Sequence, residues 1–233
     1  RLEAGDTLKA ALEDGDCLVI DSDSRLTQLG LLPVCEEPCY HLFESRCYGA
    51  ETDLPLPQLA AQWARETLGI AETKPFVALG HAAARGCHIA VSLGVGENPA
   101  KRLPDPFEEE LLRLLAGSGM PLCIDMGAGG EEAERVRGAV ERAGIEARLW
   151  QGSFAGFASI IAASRLFVGY DSAGQHVAAA CGIPLISIFC GFPVSRMFDR
   201  WRPTGTKTIV LRVDHPDPAE SIARVRDALS ALL

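Results

Sequence analysis

The segment VGYDSAGQHVAAACGIPLISIF, Val168 to Phe189, decides the fold. It runs from an apolar strand through a polar elbow into a helix of small residues, and then into a second apolar strand. Continuously apolar strands joined through a helix form the βαβ unit of a parallel sheet covered on both faces. The elbow is more polar than a chain reversal needs. Asp171 stands at the strand end, Ser172 adds a hydroxyl, Ala173 and Gly174 open the helix, and His176 lies in its first turn. In a parallel α/β sheet, ligands bind beyond the carboxyl ends of the strands. A helix N-terminus there presents free N–H groups and a positive dipole end, which suit a phosphate. Asp171, Ser172, Ala173, Gly174 and His176 are therefore candidate anion-binding residues. The plainer alternative is that Asp171 and Ser172 only cap the helix while His176 sits on its surface.

Upstream, the same alternation continues. CHIAVSLG is a short apolar strand, and Asp105 to Ala116 is an amphipathic helix with Phe107, Leu111, Leu114 and Leu115 on one face. MPLCIDMG is a strand, EEAERVRGAVERAG a helix ending at Gly144, and IEARLW a third strand. Ser153 caps the helix FAGFASIIAAS, and RLFVGY leads into the elbow. Downstream come TKTIVLRV as a final strand and a helix from Pro218 to Leu232. This pattern predicts an α/β fold, a doubly wound parallel sheet, over residues 75–233. Residues 1–74 hold a strand in DCLVIDSDSR, an irregular stretch to about Gly49 and the helix LPQLAAQWARETLGI. They read as a partial N-terminal α/β domain.

Three more loops gather at the same edge of the expected sheet. Gly94 and Gly96 follow the first strand, with Lys101 and Arg102 before the next helix. A glycine-rich loop with a cation holds a diphosphate, although neither a dinucleotide fingerprint nor a P-loop is present. The alternative is a solvated surface loop. Glu131 and Glu132 open the helix after the second strand, where a carboxylate accepts ribose hydroxyls or simply complements the helix dipole. Gln151, Gly152 and Ser153 follow the third strand, where backbone groups are placed to meet a base. Together the four loops read as the cradle of a nucleotide diphosphate.

Composition narrows the classes. Of 233 residues, 48% are apolar, enough for a large core. The formal charge of −9 argues against a nucleic-acid binder. No apolar run approaches the ~20 residues of a membrane span, and RLEAGDTLKAALEDGD lacks a signal-peptide pattern. The eight cysteines read mostly as buried thiols of a cytoplasmic protein. Cys35, Cys39, His41 and Cys47 offer zinc-type ligands, but their spacing matches no common knuckle, so no metal is expected.

At these residues the chain resembles glycosyltransferase family 9, the ADP-heptose:lipopolysaccharide heptosyltransferases and their relatives. The likeness lies in Asp171-Ser172-x-x-x-His176-x-Ala178-Ala179-Ala180, in Gly182-x-Pro184 and in a strand ending at Gly191. It is good over residues 75–205 and looser over 1–74. The resemblance implies the GT-B arrangement, two Rossmann-like halves facing a cleft. Residues 75–233 would be the nucleotide-sugar-binding half and 1–74 the end of the acceptor-side domain, with the rest of that domain expected outside this chain. It further implies that Asp171, Ser172, Ala173 and His176 line the donor diphosphate pocket and that Lys101 contacts phosphate. Glu132 or Glu131 would hold the ribose and Gly152 would contact the base. The family usually carries Gly two positions after the acid; this chain has Ala173 there and Gly174 next.

The implied activity is inverting transfer of a heptose-like sugar from a nucleotide-diphosphate donor such as ADP-heptose. The acceptor would be a cell-envelope glycan such as lipopolysaccharide core, and no metal or cofactor beyond the donor is implied. Lys101 and His176 would stabilise the leaving group. The family's base is an aspartate early in the N-terminal domain, expected outside this chain; Asp21 and Asp23 read as turn residues. The expected setting is the bacterial cytoplasm, at most peripheral to the inner membrane. A nucleotide-sugar epimerase of the same architecture and a non-catalytic nucleotide-sugar-binding subunit are the competing readings. FPVSRMFDRWRP reads as either a donor-sugar loop or an interdomain strap.

Overall fold

The computed structural model describes residues 17–21, 38–45, 48–79, 86, 88–96, 98–205 and 207–233. The chain divides into two units, one made of the described residues up to Ala78 with Asp199–Trp201, the other of 79–198 and 202–233.

In the first unit, β1 (Cys17–Asp21) pairs in parallel with β2 (Tyr40–Glu44). YHLFE, read from sequence as part of an irregular stretch, is thus a strand. Helix α1 (Leu56–Leu68) buries Leu59, and the Phe43 ring lies 5.4 Å from that of Trp63. Arg200, almost wholly buried, donates from Nη1 to the carbonyl of Tyr48 at 2.9 Å. The side chains of Asp21, Asp23, Cys35 and Cys47 lie outside what is described.

The second unit holds six parallel strands: β3 (Ile89–Ser92), β4 (Leu122–Asp125), β5 (Arg148–Trp150), β6 (Leu166–Tyr170), β7 (Leu185–Cys190) and β8 (Thr208–Val213). Their order is β5-β4-β3-β6-β7-β8, so the direction of winding reverses between β3 and β6. This is the doubly wound sheet expected from the apolar strands, and its ligand crevice belongs at that reversal. Ser92 stands level with Asp125 on one side and Gly169 on the other.

Strand residues alternate between two covered faces. Ile89, Val91, Ile124, Val168, Tyr170, Ile186 and Ile188 join one core with α2 (Phe107–Ala116), α3 (Gly130–Ala143) and α7 (Pro218–Leu232). On α2 the buried stripe is Phe107, Leu111, Leu112 and Leu115; Leu112 takes the place expected of Leu114, which is only partly buried. Helices α4 (Phe154–Ala163) and α5 (Ala173–Ala180) pack against each other, and Phe157, Phe167, Ala178 and Phe189 are buried outside the first core. Ser153 caps α4 as expected, its Oγ accepting from the Gly156 N–H at 3.2 Å. The segment FPVSRMFDRWRP contains a short helix, α6 (Ser195–Trp201), that its length and flanking prolines concealed.

The loop carrying Lys101 is held at three points. Residues Pro99–Lys101 form a 3-10 turn, with the Asn98 side chain accepting from the Ala100 N–H. The buried Tyr170 hydroxyl accepts from the Leu103 N–H at 3.2 Å. Arg102 donates from Nε at 2.9 Å to Glu108, a carboxylate 2% exposed that also receives Arg135 at 2.5 and 2.6 Å. Gly191, at φ +69°, completes the clamp: a Cβ there would fall 2.1 Å from the Ala100 carbonyl oxygen. Gly191→Ala should therefore cost about 2 kcal/mol or more in chemical denaturation, from left-handed strain together with a backbone collision. Unchanged stability would show that β7 does not press on this turn.

Candidate functional site

A cleft of about 360 Å³ opens where the sheet order reverses. The end of β3 and the loop after it contribute Ser92, Gly94 and Gly96, and the stretch from the end of β4 to the start of α3 contributes Asp125, Gly127, Ala128 and Glu132. Gly152 and Phe154 come from beyond β5, and Ser172, Ala173 and Gly174 from the start of α5. All four loops named from sequence thus meet in one hollow. Another hollow, of about 400 Å³, lies beside Pro106 and Pro218. It is lined by Glu110, His215 and Asp217 among its polar residues, and Asp217 already caps α7.

Next to the α5 end of the cleft, outside the residues that line it, lies an ion pair. Lys101 Nζ lies 2.7 Å from Asp171 Oδ2 and donates to the Asp171 carbonyl at 3.3 Å. Gln175, fully buried, donates from Nε2 to Asp171 Oδ1 at 2.5 Å and accepts at Oε1 from the buried Ser187 hydroxyl on β7. The same Gln175 Nε2 lies 3.3 Å from His176 Nε2. Lys101, Asp171 and His176 are therefore one polar cluster beside the helix start. Both oxygens of Asp171 serve to fix Lys101 and Gln175. Burial pushes the His176 imidazole below its ordinary pKa; Asp171 opposes that shift and Lys101 adds to it. An arriving anion would favour the protonated ring.

Ser172 is the N-cap residue of α5 by position, yet its hydroxyl makes no capping bond. Its Oγ is buried and has no hydrogen-bond partner among the described residues. Native structures rarely leave such a group unpaired, so it points to a missing acceptor. Gly174 also lines the cleft, and on the side where a Cβ would project, Phe167 Cζ lies at 2.8 Å. Packing against β6 thus already requires glycine there.

The β4 end is acidic. Glu132 Oε1 accepts from the Val95 N–H and Oε2 from the Ala128 N–H, each at 2.9 Å. Gly127, at φ +67°, makes room for it: a Cβ there would sit 2.0 Å from Oε2. Glu132 thus ties the β3 and β4 loops together, while Glu131 is exposed and does not line the cleft. Asp125 was not singled out from sequence. Burial, with the nearby Glu132 charge, raises its pKa, opposed by the Gly127 N–H that its carboxylate accepts. Gly152 lies over Trp150, whose Cζ2 would meet a Cβ at 2.9 Å, and Ser153 spends its hydroxyl on the α4 cap.

The family model for glycosyltransferase family 9 (heptosyltransferase) matches residues 39–226, most of the chain. The chain belongs to glycosyltransferase family 9. Lipopolysaccharide heptosyltransferase 1 of Pseudomonas aeruginosa is 27% identical over 139 residues, 59% of this chain and 36% of that protein. The chain thus matches little more than a third of that curated relative's length. Escherichia coli ADP-heptose lps heptosyltransferase II is similar at 27% identity and a TM-score of 0.52, over 64% of this chain and 47% of that one. The Escherichia coli heptosyltransferase WaaC solved with ADP has the same fold at 18% identity and a TM-score of 0.66, over 97% of this chain and 76% of that one. The family's fold, a six-stranded parallel sheet flanked by helices in the GT-B manner, is the one observed here.

In this member of the family, Glu132 carries a structural task that can be measured. Glu132→Ala leaves two backbone amides without their acceptor, a loss of about 2 kcal/mol, or roughly 4–8 °C in Tm. An unchanged melting temperature would mean that the two loops do not depend on it.

Proposed function

We propose that the cleft binds the nucleoside diphosphate of a sugar donor and that this family 9 chain is the donor half of a sugar transferase. The supporting observation is the buried, unpartnered Ser172 hydroxyl at the start of α5, beside a lysine already held in place by Asp171. A diphosphate there meets the free N–H groups of α5, the Ser172 hydroxyl, Lys101 and His176. The charge distribution also orients the ligand. Phosphates lie at the Lys101 end by β6, the ribose at the acidic end by β4 and the base near Gly152 beyond β5. From β6 to β5 is three strand spacings, roughly 14 Å.

In the reaction, an acceptor hydroxyl attacks the anomeric carbon as the nucleoside diphosphate leaves, with inversion. Negative charge grows on the leaving phosphate, and donors placed in advance lower the barrier most. Lys101, the α5 amides and a His176 that gains a proton on anion binding meet that charge. We assign no residue of this chain as the base that takes the acceptor's proton. Kinship with the heptosyltransferases makes ADP-heptose the first donor to try, with a lipopolysaccharide-type acceptor in the bacterial cytoplasm. Among the described residues, no helix is long and apolar enough to cross a membrane.

Calorimetry against ADP, UDP, GDP and dTDP tests this directly. At least one should bind, and Lys101→Ala should weaken it tenfold or more, since a charge-assisted hydrogen bond is worth roughly 1.5–3 kcal/mol. Equal affinity in wild type and variant would remove Lys101 from the site, and no binding of any of the four would reject the donor reading.

A further inference from the structure

Gln175 is fully buried, and its neighbours orient its amide. Nε2 donates to Asp171 Oδ1 at 2.5 Å, while Oε1 accepts from the Ser187 hydroxyl on β7. A carboxylate paired with Lys101 only accepts, so the amide nitrogen must face it; turning the amide over would set two acceptors together. That orientation governs the next residue. The same nitrogen lies 3.3 Å from His176 Nε2. An amide nitrogen donates and does not accept, so the ring nitrogen facing it is the acceptor, and a neutral ring carries its proton on Nδ1. Asp171 and Lys101 are the charged groups beside the ring, and they act on it in opposite senses. Among the described residues, α4 and α5 carry no other ionisable side chain. Strands β6 and β7 add only Tyr170, whose hydroxyl accepts the Leu103 N–H, and the buried thiol of Cys190.

We infer that Gln175 is a positioning residue whose amide holds His176 neutral, with Nε2 as an acceptor, until an anion enters, so that nucleotide binding takes up a proton at His176. The inference rests on the donor-site reading above and adds a pH dependence to it. Protonating Nε2 would set its N–H against the amide N–H, so a charged ring must give up Gln175, and burial adds to that cost. A phosphate beside the start of α5 supplies the opposite charge that makes the exchange favourable. The ring's pKa is held down in the free chain and raised in the complex. Affinity is therefore highest at acid pH and falls as pH rises through the interval between those two values.

The test is nitrogen NMR of the five histidine rings in the labelled chain, with His176 assigned through His176→Asn. Without ligand, the wild-type ring should be neutral at pH 7 with its proton on Nδ1. Gln175→Met, close in volume but without the amide, should raise the His176 midpoint by about one pH unit. Saturation with whichever of ADP, UDP, GDP or dTDP binds should raise the wild-type midpoint. Calorimetry in buffers of different ionisation enthalpy should then show proton uptake that His176→Asn lacks. A neutral wild-type ring with its proton on Nε2, or an unchanged midpoint in folded Gln175→Met, overturns the inference; if that variant does not fold, the wild-type tautomer decides. Nucleotide binding without proton uptake at His176 overturns it too and leaves the donor site standing. Failure of all four nucleotides to bind rejects the donor reading and this inference with it.

Discussion

The contact between Lys101 and Asp171 is the constraint on which the site depends. A lysine on a loop between a strand and a helix would ordinarily sample solvent, and its flexible stem loses much entropy when ordered. Here the carboxylate at the end of β6 holds it, the buried Gln175 holds the carboxylate, and Ser187 on β7 holds the amide. The chain Ser187–Gln175–Asp171–Lys101 therefore carries the geometry of two strands to one ammonium group. The main chain beneath is fixed as well, by the Tyr170 hydroxyl, by Glu108 between two arginines and by the contact with Gly191. A buried carboxylate with two guanidinium partners is costly to break, which makes Glu108 an anchor for the Lys101 turn.

The surroundings of the cleft are unevenly charged. The Lys101–Asp171 pair and His176 lie beside its α5 end, and Asp125 with Glu132 lines the other. Under the proposed donor reading, such a difference would orient a nucleotide before any base contact is made, because the reversed pose would set phosphate against carboxylate. The glycines have distinct tasks. Gly191 and Gly127 make room for the main chain and for Glu132, whereas Gly174 is filled from behind by Phe167.

Much of the fold was legible because its strands are buried on both faces and so read as unbroken apolar runs. IAVS, LCID, LFVGY and LISIFC lie where the sequence places strands. The cap at Ser153 and the four glycine-bearing loops at one edge were legible for the same local reasons. YHLFE was missed as a strand because its polar residues interrupt the apolar signal, and SRMFDRW because a seven-residue helix between prolines has almost no period to detect. The relay through Gln175 was hidden, since its partner Ser187 lies on the next strand and only sheet register brings the two together. The tie that Glu132 makes between two loops was hidden too. Which acid meets the Val95 and Ala128 amides depends on how the β3 and β4 loops fold together, and nothing in DMGAGGEEAER encodes that.

The central claim is that four strand-end loops form one nucleotide cradle. Hydrogen exchange of the chain with and without saturating ADP tests it most directly, because the cradle is built largely from backbone amides. Exchange should slow together at Gly94–Gly96, Ala128, Gly152 and Ala173–Gly174. Protection confined to the hollow at Pro106 and His215–Ala219, or none at the four loops while ADP is bound, would contradict it.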